Sequence, residues 1–187
     1  MLAHAEGAFG GARKHVLRAV HAVREKNWLR RVYRELEEVD VALRRFREAG
    51  AVHRRMIELE PESAWAKGNY ALFLLHLGDI EGAITNAEAA LETASYGAAH
   101  HALALAYAER GARQLWDDGD RAAARRSFET ALKHWPGLAP ALYGKIACDS
   151  VDADERDEPC TSCRQDLQRL VAEDPKFREA KISLDRF

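Results

Sequence analysis

With 187 residues, 47% hydrophobic and 31% charged, the chain is long enough to bury a sizeable core and reads as one soluble domain. Its formal net charge of −2 conceals an asymmetry: residues 11–56 hold 13 Lys and Arg against six Asp and Glu, so that stretch carries +7 and the remainder −9. No run of about 18 apolar residues is present and the opening MLAHAEGAFGG lacks a signal peptide's apolar centre. Three cysteines, an odd number, do not form a disulfide framework; together these features predict a cytoplasmic protein in a reducing compartment.

Apolar positions in the first quarter follow a helical period. Val16, Val20 and Val23 mark one helix, and Asn27 is placed to cap a second that starts at Trp28. Leu29, Val32, Leu36, Val39, Leu43 and Phe46 then alternate three and four apart, the spacing of a coiled-coil seam. Such a seam is either the buried face of an intramolecular helix or a homodimer contact through the N-terminal helices. The basic residues around it form a solvated face or, alternatively, a surface for an acidic partner or nucleic acid. Trp28, Tyr33 and Phe46 lie on or beside the apolar face, which favours packing over base stacking. Gly50 interrupts the pattern, which Ala51, Met56 and Ile57 carry on to a stop at Glu60-Pro61.

Between Pro61 and Pro136 one helix-turn-helix phrase occurs twice. In the first copy Tyr70, Ala71 and Leu74 lead to Gly78-Asp79 and then to Ala83, Ala87, Ala90 and Leu91. In the second, Leu103, Ala104 and Tyr107 lead to Gly111, 33 residues beyond Gly78. Small residues such as Ala71, Ala83, Ala104, Ala124 and Ala131 let antiparallel helices approach, while Tyr70, Leu74, Tyr107 and Phe128 fill the space beside them. Gly78 suits a left-handed helix C-cap and Asp79 the cap of the next helix. One such hairpin cannot bury its own apolar face, so copies must stack.

On these residues the chain resembles the tetratricopeptide repeat (TPR) family, whose period is about 34 residues. The resemblance implies an all-α fold, a right-handed stack of antiparallel helix hairpins with N-terminal helices and a C-terminal capping helix. It divides the chain into residues 1–60 and residues 61–187. The first part is a helical packing or capping region in which Ala42, Phe46 and Ala49 have the spacing of Ala124, Phe128 and Ala131, as in a degenerate repeat. The second holds about three hairpins plus a cap.

Two departures from the repeat stand out. After Gly111 comes ARQLWDD before a second turn at Gly119-Asp120, which predicts a first helix about two turns longer than usual, running through Leu115 and Trp116. The third hairpin opens at Ala141-Leu142-Tyr143-Gly144 and closes at Leu167, Leu170 and Asp174-Pro175. Between them DSVDADERDEP, residues 149–159, is too polar for a core and reads as a loop. Phe177, Ala180, Ile182 and Leu184 fit a terminal capping helix.

Cys160-Thr-Ser-Cys163 at a helix start is the sharpest local motif, suited to a redox pair or half a zinc site. No βαβ pattern surrounds it, and a four-ligand zinc site would need Cys148 and a distant His such as His134, so the cysteines read as structural or incidental, with metal and redox roles as alternatives. His100 and His101 are adjacent and point about 100° apart on a helix, and His15 and His21 are six apart; neither is a metal signature. GxSxG, GxxxxGK[ST] and HExxH motifs are absent, and nothing in the chain points to an enzyme or a cofactor.

The TPR resemblance implies a groove lined by first helices: Trp65, Gly68, Leu72, Leu75 and His76 from one, His101, Leu105, Ala108 and Glu109 from the next, Tyr143 and Ala147 from the third. Positions that in one TPR subgroup clamp acidic chaperone tails are here Gly68, Leu72, Ala102, Pro140 and Gly144, none of which supplies a charge or amide. The expectation is a non-catalytic adaptor or scaffold that holds a peptide or helix of a protein partner in an apolar groove, with Trp116 as a secondary contact. The alternatives are a bacterial secretion-type TPR chaperone, a metal- or redox-dependent protein using Cys160 and Cys163, and nucleic-acid binding through the basic N-terminal region.

Overall fold

The computed structural model of the protein describes residues 11, 13–15, 18, 26–155 and 160–184. Val16, Val20 and Val23, His21, and the side chains of Trp28 and Leu29 lie outside the described residues. From residue 26 onward the described chain is helical throughout: α1 Lys26–Ala42, α2 Phe46–Leu59, α3 Ala64–His76, α4 Ile80–Thr93, α5 Gly97–Trp116, α6 Arg121–His134, α7 Ala139–Glu155, α8 Thr161–Glu173 and α9 Arg178–Leu184. Consecutive helices pack as antiparallel hairpins, α5 also touches both α3 and α7, and the hairpins form a right-handed stack.

The α3–α4 turn is built as the sequence leads one to expect. Gly78 has φ +80°, its N–H donates to the Leu75 carbonyl at 2.9 Å, and the Asp79 N–H donates to the Leu74 carbonyl at 3.0 Å. These two bonds are a Schellman C-cap, which places a left-handed residue just past the helix. Asp79 then caps α4 by accepting from the Gly82 N–H at 2.9 Å, and Asp120 caps α6 by accepting from Ala123 at the same distance.

The same turn joins α1 to α2, without a glycine. Arg44 has φ +57°; its N–H donates to the Val41 carbonyl at 2.9 Å and the Arg45 N–H to the Asp40 carbonyl at 2.7 Å. Arg44 stands 34 residues before Gly78, one repeat period. The helix break therefore falls at residues 43–45 and not at Gly50, which is buried inside α2 against the Phe73 ring. The seam from Leu29 to Phe46 is accordingly split between two helices, and Asn27 lies within α1, where it was expected to precede it.

This turn also corrects the register of the degenerate repeat. Counted from Arg44, Gly78 and Gly119, the equivalent positions on the second helices are Ala49–His53–Met56, Ala83–Ala87–Ala90 and Ala124–Phe128–Ala131. Ala42, expected in that set, ends α1 and is exposed. Cys163–Leu167–Leu170 repeats the spacing in α8, and every member of the four sets is buried. Spaced four and three apart, they form the stripe by which each second helix faces its neighbours.

The lengthened first helix is present: α5 has 20 residues against 13 in α3 and ends at Trp116, before Gly119 with φ +72°. The expected loop from Asp149 is not a loop as far as Glu155, because α7, 17 residues long in all, continues through it to that residue. Its carboxylates are helical because they are paired. Arg125 of α6 binds Asp149 and reaches Asp152 at 2.5 Å, while Arg121 reaches Glu155 at 2.6 Å. Asp149, Asp152 and Glu155 are three apart, so one helix face presents all three to α6. Farther upstream, buried Asp40 is met by Arg13 Nε at 2.5 Å.

Arg44 carries a side chain in a conformation that favours glycine. Arg44→Gly should stabilise the fold by about 1 kcal/mol, a rise of about 2–4 °C in Tm. Gly78→Ala, at the equivalent turn, should lower Tm; thermal unfolding of the two variants beside the parent checks both signs.

Candidate peptide-binding groove

The residues proposed for the groove sit on α3, α5 and α7, with α5 in contact with both of the others. Leu72 and Leu75 are half-buried against the core made by α3, α4 and α5. Leu105 is half-buried beside the cluster containing Phe128. His76 is exposed with its ring 6.4 Å from Phe46, and Glu109 is exposed and 3.5 Å from Arg113. His101 has the ring of Trp135 over it at 5.0 Å.

Two implied members are not available. Gly68 is covered by Tyr96, close enough that a Cβ would meet the ring at 2.8 Å, and Ala108 is 5% exposed within the core. Tyr143 is tied into its surroundings: Phe177 meets its edge at 5.7 Å, Trp116 stacks on it at 6.4 Å, and its hydroxyl pairs with Ser183 at 2.8 Å. Trp116 is both packed and accessible, stacked on Tyr143 yet 56% exposed.

Trp65 lies at the N-terminal end of this surface, in a cleft of about 310 Å³ shared with Arg30, Arg31 and Arg34 of α1. The Arg30 guanidinium sits 5.8 Å from the Trp65 ring centre, within cation–π range, and is forked onto Glu60. Its pKa is raised chiefly by that hydrogen bond. Of the aromatics in the basic stretch, Tyr33 is buried among Leu36, Val52 and Met56, which places it in packing. A second cleft of about 560 Å³ opens where α5 overshoots the α3–α4 turn, between Gly78–Glu81 and Arg110, Arg113 and Gln114.

One constellation escapes sequence reading. His100, rejected as a partner for His101, instead meets His134 across the α5–α6 interface, with Nδ1 to Nδ1 at 3.1 Å. At that distance one ring nitrogen donates a hydrogen bond to the other. The only signal in the sequence is their 34-residue separation, which means nothing until α5 and α6 are known to be antiparallel.

The cysteines also differ from expectation. Cys160 and Cys163, read as structural or incidental with a redox pair as an alternative, are joined by a disulfide. One helical turn brings their Cα atoms to 5.3 Å, inside the range a disulfide spans. Cys148 is free and buried in the Phe128 cluster, away from that pair, and burial pushes its thiol pKa up.

No protein-family model matches the chain, and no curated protein matches it in sequence. Solved structures do match in fold. MamA superposes with a TM-score of 0.58 at 16% identity, over 93% of this chain and 87% of that one. YrrB, described as a TPR protein with an unusual peptide-binding site, gives 0.59 at 15% identity, over 97% and 86%. The fold is thus that of TPR proteins, an all-α helical-repeat solenoid. Among the described residues, no helix is long and apolar enough to cross a membrane.

The histidine pair predicts a pH dependence. Burial, and secondly the neighbouring His100, hold the pKa of His134 below the ordinary value of about 6.5. Below pH 6.5 the unfolded chain then binds more protons than the folded one, so stability is full above that pH, falls as pH drops, and levels off below the lowered folded pKa. Chemical denaturation between pH 7.5 and 5 should show this loss, and His134→Phe should reduce it.

Proposed function

We propose that the protein is a non-catalytic adaptor of the cytoplasm that holds a peptide or helix of a protein partner along α3, α5 and α7. The observation that carries this reading is the row of half-buried apolar side chains, Leu72, Leu75 and Leu105, left on first helices whose opposite faces already fill the core. Rigid helices keep such side chains in place without ordering cost, and the Trp135 ring lies 5.0 Å from that of His101, on the same helix as Leu105. YrrB, with its peptide-binding site, gives the fold a precedent for this use. Each Leu or Phe anchor buried there would contribute about 1.5–3 kcal/mol, so two or three would offset the cost of ordering the ligand.

Leu72→Asp with Leu105→Asp tests the reading. The paired variant should keep its helical circular dichroism and lose at least about tenfold in affinity for partners captured by the parent, equal to about 1.4 kcal/mol. Equal capture by both proteins would rule out this surface.

Trp116 tests the reach of the site. Because its stacking on Tyr143 is worth about 0.5–1.5 kcal/mol, Trp116→Ala should lower Tm by a few degrees at most. A tenfold loss of partner affinity in the folded variant would include the overshooting end of α5 in the binding surface, whereas unchanged affinity would confine binding to the Leu72–Leu105 face.

A further inference from the structure

The position of Cys163 in the repeat shows what packing alone requires there. The equivalent residues on α2, α4 and α6 are Ala49, Ala83 and Ala124, each with no exposed surface. A small side chain satisfies that slot three times over, so burial explains the size of residue 163 but not its sulfur. The start of α8 also lacks a side-chain cap. Asp79 and Asp120 cap α4 and α6 through side-chain hydrogen bonds, whereas Cys160 at the N-cap of α8 makes none, and neither does Arg45 at the start of α2. The bond to Cys163 holds the first turn in place of a cap.

The two sulfurs are also unequally placed. Cys160 is half-exposed at the helix start, while Cys163 is 1% exposed in a core with Ile146, Leu167, Leu170 and Ala180. A nucleophile arriving from solvent meets Cys160. Once reduced, Cys160 stands half-exposed at the N-cap of α8, within reach of a soluble thiol or disulfide. Cys148, the other cysteine, is fully buried with its pKa raised by burial, so it does not compete.

We propose that Cys160–Cys163 is a reversible thiol–disulfide exchange site whose oxidation state sets how firmly the first turn of α8 is held. A thiolate of the glutathione class attacks the Cys160 sulfur; the Cys160–Cys163 bond breaks, and the electron pair leaves on Cys163, which takes a proton from solvent. A second thiolate attacks the external sulfur of the mixed disulfide, forming the external disulfide and leaving Cys160 as its thiolate. Two external thiols are thereby oxidised and one protein disulfide is reduced to two thiols. Oxidised glutathione runs the sequence backwards. Reversal of this kind lets the pair exist in a reducing compartment as a response to oxidant.

The test uses the full chain in buffers of graded reduced-to-oxidised glutathione ratio, followed by acid quench, alkylation and intact mass. The expected result is a reversible change of two thiols with a single midpoint, with Cys160 alkylated about tenfold faster than Cys148 in the reduced protein. Cys163→Ala, which restores the residue found in the other three helices, should fold and trap one glutathione on Cys160; Cys160→Ser should trap none on buried Cys163. Hydrogen exchange at the first turn of α8 should quicken about tenfold on reduction, while α4 is unchanged. Three free thiols at every ratio, or no glutathione adduct on folded Cys163→Ala, would overturn the exchange site. Identical exchange in the two redox states would overturn its hold on α8, and stoichiometric zinc bound by the reduced protein would replace the redox assignment with a metal one.

Discussion

The ring of Phe128 fixes how closely three helices meet. It projects from α6, is 1% exposed, and occupies the space in front of two glycines, Gly111 on α5 and Gly144 on α7. A Cβ on Gly111 would lie 2.8 Å from the ring, and one on Gly144 closer still. The middle of the solenoid is therefore a large-to-small fit in which one phenyl group takes the room that two missing side chains leave. Because α5 and α7 are both first helices, the seat of this ring sets the spacing of the surface they present.

Seen along the stack, the same slot is filled in different ways. At the positions equivalent to Phe128 stand His53, Ala87 and Leu167, and the neighbouring first helices adjust to each. His53 is stacked with Tyr70 at 5.3 Å and lies 4.9 Å from Phe73, so the junction of the first two hairpins is aromatic where the next is built on alanine. Stacked repeats tolerate this variation because each interface has only to satisfy its two neighbours. The slot one turn earlier likewise accepts the disulfide-bonded Cys163 where three other helices carry alanine, and the left-handed turn position accepts Arg44.

Charge is distributed by the same logic. The basic N-terminal stretch and the acidic segment of α7 do not stand as two free patches, because each is partly spent within the fold. Arg13 meets Asp40, Arg30 meets Glu60, and Arg121 and Arg125 meet the carboxylates of α7. What remains accessible beside Trp65 is a small basic cleft at one end of an otherwise apolar row.

The helical period, the small residues of α4 and α6, Gly78 and Gly119 at their turns, the long α5 and the final cap were all legible in the sequence. Each is a local signal: a spacing along one helix, or a residue whose backbone freedom a turn requires. The hairpin of α1 and α2 was harder to place because its turn residue is Arg44, and without the expected glycine the break was read at Gly50. The continuation of α7 through an acidic run was illegible because its carboxylates are satisfied by arginines 24 to 34 residues away. Likewise the covering of Gly68 by Tyr96 and the meeting of His100 with His134 follow from the packing of helices, which no single segment encodes. The sequence determined where helices begin, end and bury themselves, since backbone hydrogen bonding and one-sided burial are properties of a segment. Only the tertiary structure decided which side chains remain for a partner, because exposure is whatever the neighbouring helices fail to cover.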